Sequence, residues 1–174
     1  MNLDAGRALI HKYEPKLVVC AYGGRSKYLE SINGPSESEV MSAWLVRTAQ
    51  WEPDTGYRFK IAVWERTRQL PAPSNTRQEL LNIFDLALER NLKRIAIVTV
   101  GVHVPRTATY VAKHLSAYEK YRVLSPVLFE SEEVLLVADR ELYGLSVQTL
   151  RDSKSFARSW AREADGIQKI VRDV

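Results

Sequence analysis

The stretch of chain that most constrains the fold covers residues 94–106. An apolar run rich in β-branched side chains stops at Gly101, and a helical pattern begins close to Pro105. Proline is favoured in the first turn of a helix, where its missing N–H would have had no partner. These residues therefore predict a buried strand, a short loop and a helix, with His103 and Arg106 at the junction. Because ligands of open α/β sheets bind at the carboxyl ends of the strands, this loop is a candidate site.

Strand and helix patterns alternate along the chain. Strands are predicted at about 16–22, 59–64, 94–100, 121–129 and 133–138. The first three are apolar runs of the kind found in parallel strands that helices cover on both faces. Helices are predicted at 5–13, from Ser36, from Asn75 or Thr76, near Pro105, and at about 153–172. The alternation predicts an α/β protein with a mostly parallel sheet between two helix layers, in a single domain covering residues 1–174.

Two of the predicted helices have clear apolar faces. One face consists of Leu80, Leu81, Phe84 and Leu88, and the face of the final helix consists of Phe156, Trp160, Ile167 and Val171. This spacing is typical of helices that pack one side against a core. The same pattern predicts that His11 and His114 lie on helix surfaces.

Composition argues against several classes of protein. With 174 residues, 45% of them hydrophobic, the chain can bury a core without disulfides or metal. The single cysteine, Cys20, favours a reducing compartment, and no signal-peptide core is seen, so a cytoplasmic location is expected. No Cys/His cluster has zinc-ligand spacing, and no apolar run reaches the roughly 18 residues that span a bilayer. The net charge of +4 is spread without a compact basic stripe, so no nucleic-acid partner is expected.

Polar or flexible residues follow two other predicted strands. Gly23 and Gly24 end the first strand, where backbone N–H groups could form an anion-binding nest, or simply a tight turn. Glu65 ends the second strand and could accept a ribose hydroxyl, or pair with Arg66 or Arg68 nearby. These positions would share the carboxyl end of the sheet with the 94–106 loop.

His103 and Arg106 have the side chains best suited to chemistry in that loop. An imidazole can act as general acid or base, and the alternative is a helix-start histidine bonded to nearby backbone. Arg106 presents a planar fork of donors that suits phosphate or carboxylate. The alternative for Arg106 is an ion pair with Glu37 or Glu65, which at the surface is worth about 0–1 kcal/mol.

Four motifs in a fixed order resemble the YdcF-like family, which is related to SanA and ElyC and has long been classed as a domain of unknown function. They are Tyr22-Gly23-Gly24, Ser36-Glu37-Ser38 with Met41, Glu65 followed by Asn75-Thr76, and Thr99 with His103-Val104-Pro105-Arg106. The resemblance covers roughly residues 5–118. The family's usual first strand and its glycine-rich turn have no counterpart before the 5–13 helix. That difference would leave a sheet edge for a partner chain to cover, as in a homo-oligomer.

The resemblance implies a three-layer Rossmann-like domain that binds a nucleotide-type cofactor such as S-adenosylmethionine. It singles out Glu37 over its neighbour Glu39, although carboxylates are favoured in any first helical turn. It also adds Asn75 and Thr76 to the pocket, although such residues are most often helix caps. No firm reaction is established for the family, and some members are tied to the cell envelope.

Two functions follow from these observations. In the first, the chain binds a small anionic ligand of nucleotide type, with Arg106 on the anion and His103 moving a proton during hydrolysis or group transfer. No metal takes part in this scheme. In the second, the chain is a non-catalytic interaction or structural module derived from the same fold, as the missing first strand suggests.

Overall fold

The computed structural model of the chain describes residues 1–20, 31–32, 34–48, 60–63 and 75–172. They fall into two compact units, of which the first comprises Met1–Ala8 with Leu80–Val174 and the second Leu9–Glu79. The single domain predicted for residues 1–174 stays a prediction.

The described helices and strands alternate up to residue 130, as the sequence predicts, and three consecutive helices follow. The helices are α1 (Asn2–Tyr13), α2 (Glu37–Thr48), α3 (Thr76–Glu89), α4 (Val104–Ala117), α5 (Ser131–Ala138), α6 (Arg140–Arg151) and α7 (Lys154–Arg172). The strands are β1 (Leu17–Cys20), β2 (Lys60–Val63), β3 (Arg94–Thr99) and β4 (Ser125–Glu130). Single 3₁₀ turns cover Gly101–His103 and Glu119–Tyr121.

All described strand pairs are parallel. In the second unit β1 pairs with β2, and Leu17 lies opposite Lys60. In the first unit β3 pairs with β4, and Thr99 lies opposite Glu130. The α/β class with parallel strands is therefore confirmed. Among the described residues the strands form two two-stranded sheets, so the three segments predicted for one sheet fall into two.

The prediction of a strand at 133–138 is wrong, because these residues belong to α5. Its buried side chains are Ser131, Glu132 and Leu135, which follow helical spacing, while Val137 is 79% exposed. A short apolar run does not by itself distinguish a strand from a helix turn.

The strand predicted at 121–129 begins only at Ser125, because Tyr121 ends a 3₁₀ turn and Leu124 donates its N–H back to the Tyr121 carbonyl. Helix α6 is not among the predicted helices. It begins at Arg140, after the N-cap residue Asp139, whose side chain accepts the N–H of Leu142. Both differences arise from local hydrogen bonds rather than from apolar periodicity.

The core of the first unit lies between α3, α4 and the segment before β4. Leu80 and Phe84 of the predicted apolar face are fully buried there, against Val111, Tyr121 and Leu124. Leu81 and Leu88 are partly buried and pack against the same core, so the predicted apolar face of α3 is confirmed.

Two histidines test the surface prediction. His11 is exposed, as predicted. His114 is buried, and its ring stacks on Tyr110 at 6.1 Å and meets Phe84 edge-on at 6.4 Å. The prediction for His114 is wrong because this imidazole is part of an aromatic cluster, where its flat ring packs like that of a tyrosine.

Cys20 ends β1 with its side chain buried, and burial raises the pKa of its thiol from an ordinary 9.0 to about 11. Because the thiolate is the nucleophile, we expect iodoacetamide to react about 100-fold more slowly than with the unfolded chain near pH 8. The measurement is the alkylation rate with and without guanidinium chloride, and equal rates would contradict this expectation.

The same shift affects folding stability. The thiol ionises at lower pH in the unfolded chain than in the folded one, so Cys20 should lower the free energy of unfolding as the pH rises from about 9 to about 11.

Candidate functional site

His103 is oriented by a carboxylate rather than by its own helix. It occupies the N-cap position of α4, but its side chain caps no backbone N–H. Instead its Nδ1 lies 2.9 Å from Oε1 of Glu163 on α7, 60 residues further along the chain. The carboxylate assigns the proton to Nδ1, because it can only accept, and this leaves the Nε2 lone pair available as a base. The arrangement differs from a helix-start histidine bonded to nearby backbone.

The histidine is accessible and its partner is not. The imidazole is 42% exposed, whereas the Glu163 side chain is 6% exposed. A buried carboxylate behind an accessible imidazole is the arrangement that fixes ring orientation and tautomer in acid–base sites.

Arg106 contacts the other oxygen of the same carboxylate. Its Nε lies 2.9 Å from Oε2 of Glu163, although the N–H is not aligned on that oxygen, so the contact is a charge pair. A Cβ at Gly166 would lie 3.6 Å from Arg106 Cδ, so the arginine stem runs close to α7. The ion pair observed for Arg106 is therefore with Glu163 rather than with a carboxylate that the sequence predicts. Glu163 takes up part of the charge that Arg106 was expected to offer an anion.

The predicted apolar face of α7 is partly wrong, and Glu163 was missed for that reason. Phe156 and Ile167 of that face are partly buried, but Trp160 and Val171 are exposed. The buried residues of this helix are Glu163 and Ile170. The missed signal was a single carboxylate among apolar residues, three positions after Trp160 and four before Ile167. A charged side chain inside an apolar stripe is rarely buried without a partner.

A second buried carboxylate joins the loops that follow β3 and β4. The N–H of Gly101 donates to both oxygens of Glu132, at 3.1 and 2.9 Å. The hydroxyl of Ser131 also donates to Oε2 of Glu132, at 2.9 Å. Ser131 and Glu132 are completely buried. Because the two parallel strands end side by side, Glu132 holds the 3₁₀ turn that ends in His103.

The side chain of Glu130 lies over the backbone of Gly101. A Cβ at this position would lie 2.8 Å from Oε1 of Glu130. That oxygen accepts a hydrogen bond of 2.7 Å from Arg151, which also donates to Glu133 at 2.7 Å. The hydrogen bonds to Glu133 and Glu130 raise the pKa of the Arg151 guanidinium above its ordinary value. The carboxyl ends of β3 and β4 thus combine a glycine backbone, ordered carboxylates and one accessible imidazole.

The other predicted site residues that the structure describes belong to the second unit. Glu37 is exposed in the first turn of α2. Its neighbour Glu39 forms a capping box with Ser36, accepting the Ser36 N–H at 2.6 Å and donating its own N–H to Ser36 Oγ at 3.3 Å. The capping role therefore belongs to Glu39, and Glu37 has no part in it.

Asn75 caps α3, since its Oδ1 accepts the Gln78 N–H at 3.0 Å, and Thr76 is the first helical residue. The helix start predicted at Asn75 or Thr76 is confirmed. Gly23, Gly24 and Glu65 lie outside the described residues, so the prediction that they share one end of the sheet with His103 stays a prediction.

The described residues contain no group of three or more His, Cys, Asp or Glu that could hold a metal ion. Within the same residues, no helix is both long enough and apolar enough to cross a membrane. Comparisons with protein-family models, curated proteins and solved structures find no match to this chain. The functional proposal therefore rests on the geometry around His103.

Proposed function

We propose that this protein binds a small ligand of nucleotide or adenosyl type, such as S-adenosylmethionine, at the carboxyl ends of β3 and β4. His103 acts there as general acid–base in a hydrolysis or group transfer. The observation that carries the proposal is the 2.9 Å contact between accessible His103 and buried Glu163. The proposed fold is the three-layer Rossmann-like domain of the YdcF-like family, which the parallel strand pairs and the ordered motifs support.

In this scheme Glu163 holds the imidazole ring with Nδ1 protonated. Nε2 then takes a proton from an attacking hydroxyl or water, and returns it to the leaving group. Positioned acid–base groups of this kind typically contribute about 100- to 10,000-fold to a rate. Glu163 acts through His103 and is a positioning residue.

The anionic part of the ligand lies at the start of α4. The first turn of this helix contains no acidic residue and no side-chain cap. The Val104 N–H donates to the Gly101 carbonyl and Pro105 has no N–H, so the attraction for an anion comes mainly from the helix dipole. Because Arg106 shares its charge with Glu163, it assists this attraction rather than supplying it alone.

Isothermal titration of the purified protein with ATP, AMP, S-adenosylmethionine and inorganic phosphate tests the proposal. We expect at least one nucleoside ligand to bind, and His103→Ala to weaken that binding about two- to tenfold, because a hydrogen bond between the imidazole and the ligand is lost. His11→Ala, at an exposed histidine in α1, is the matched control and should bind like the wild type. Thermal unfolding of both variants shows whether each still folds. Failure of all four ligands to bind, or equal behaviour of the two variants, would overturn the proposal.

One observation favours the second candidate, a non-catalytic interaction module. Leu142 and Leu145 are well exposed, lie three residues apart on α6, and follow the exposed Val137 of α5. Apolar side chains of this size on a surface often mark contacts with other proteins. A self-associating protein that binds none of the four ligands would identify this function.

A further inference from the structure

The exposed face of α7 carries a row of basic side chains. They are Lys154, Arg158, Arg162, Lys169 and Arg172, and all five are exposed. At 3.6 residues per turn, they project within an arc of about 80° around the helix axis. In the sequence these cations are three to seven residues apart, and no compact basic stripe is visible. The turns of the helix bring them together into one row.

The charges of this row are not neutralised within the described part of the chain. None of the five forms a salt bridge there, and the one hydrogen bond of Arg158 goes to the backbone carbonyl of Lys154. Asp165 is the single acidic residue in the arc, so the row keeps a net positive charge. Arg151 differs, since Glu130 and Glu133 bind it.

We propose that the basic row of α7 binds the sugar–phosphate backbone of a nucleic acid. The row extends for about 27 Å, because eighteen residue steps each rise about 1.5 Å. A linear array of cations complements the linear array of phosphates, which in a duplex supplies one negative charge per about 1.7 Å of axis. Arginine contributes three of the five cations, and its planar fork suits phosphate oxygens.

The burial of α7 argues against a membrane surface as the partner. A helix that lies in a membrane interface inserts a free apolar face among the lipids. The opposite side of α7 is instead buried in the protein through Glu163 and Ile170. The exposed apolar residues of α7, Trp160 and Val171, project about 140–160° away from the middle of the row, so they cannot insert into a surface that the row contacts. Phosphate contacts need no apolar insertion.

The basic row is separate from the site at His103. Glu163 projects from the buried side of α7, and none of the five basic residues contacts His103 or Arg106 in the described structure. The inference therefore goes beyond the proposed function, and each can fail without the other.

The test compares two triple variants that remove the same charge. The first, R158Q/R162Q/K169Q, removes three cations of the row. The second, R90Q/R122Q/R140Q, removes three exposed arginines from other parts of the first unit and is the matched control. Fluorescence anisotropy measures binding to a labelled duplex of about 20 base pairs, more than twice the eight or so pairs that the row spans at 3.4 Å each.

Salt dependence distinguishes phosphate contacts from general attraction. With five phosphate contacts, raising the salt concentration from about 50 to 200 mM should weaken binding by the wild type about 500-fold. The row variant keeps two of the five cations, so the same change should weaken its binding only about 12-fold. We expect the row variant to show the smaller factor at all duplex sequences, and the control variant to keep the larger one.

Three outcomes would overturn the inference. Equal salt dependence of the two variants would show that the net charge of the protein, and not the row, determines its binding to nucleic acid. If the protein binds neither duplex nor single-stranded nucleic acid at about 50 mM salt, a nucleic acid is excluded as the partner of the row. Binding to vesicles of phosphatidylserine and phosphatidylcholine, lost in the row variant and not matched by nucleic acid, would assign the row to a membrane surface.

Discussion

Replacing Glu132 by alanine should lower the free energy of unfolding by about 3 kcal/mol, and the melting temperature by about 6–12 °C. The carboxylate is completely buried and accepts hydrogen bonds from the Gly101 N–H and the Ser131 hydroxyl. Its removal leaves both donors buried without an acceptor, and each unsatisfied donor costs about 1–3 kcal/mol of stability. The substitution also opens a cavity, which adds to the loss. Urea unfolding followed by circular dichroism measures the change.

The adjacent residue supplies the matched control. Glu133 pairs with Arg151 at 2.7 Å, but its side chain is 57% exposed. Since exposed ion pairs contribute about 0–1 kcal/mol, Glu133→Ala should cost less than about 1 kcal/mol. Glu132→Gln should fall between the two alanine variants, because an amide oxygen still accepts the Gly101 N–H. Equal losses for Glu132→Ala and Glu133→Ala would contradict the proposed tie between the loops.

Replacing Glu163 by alanine should cost about 2 kcal/mol of stability. The loss leaves Arg106 and His103 without their shared carboxylate, but both are partly exposed, so water compensates in part. Asp165→Ala, an exposed carboxylate on the same helix, should change stability by no more than about 0.5 kcal/mol.

A double-mutant cycle isolates the charge pair. Glu163→Ala and Arg106→Ala should be non-additive by about 1 kcal/mol or more, because the two side chains contact each other. The coupling should persist in high salt, since a buried carboxylate is screened less than a surface one. Additive effects, or a coupling abolished by salt, would mean that the contact at 2.9 Å contributes little.

The part of the site formed by neighbouring residues could be predicted from the sequence. The β-branched run before Gly101 and the proline after His103 determine strand, turn and helix within a few residues, and the structure has all three. Local backbone preferences are sufficient there, because every deciding residue is close in the chain.

The partners of these residues could not be predicted. Glu132 lies 31 residues from Gly101, and Glu163 lies 60 residues from His103. Apolar spacing can mark a carboxylate such as Glu163 as a candidate for burial, but it cannot identify the partners of that carboxylate, because other elements bring the donors. The same cause explains the error at α5, where Ser131 and Glu132 form the buried face that a count of apolar residues would leave out.

The position of the Glu130 side chain over Gly101 also affects which substitutions the chain can accept during evolution. A Cβ at position 101 would lie 2.8 Å from Oε1 of Glu130, so Glu130 would have to turn away and give up its hydrogen bond with Arg151. This partly exposed ion pair is worth about 0–1 kcal/mol, so its loss would be tolerated. Substitutions at the two positions are therefore coupled, and alanine at 101 should cost less in relatives that have a shorter residue at 130.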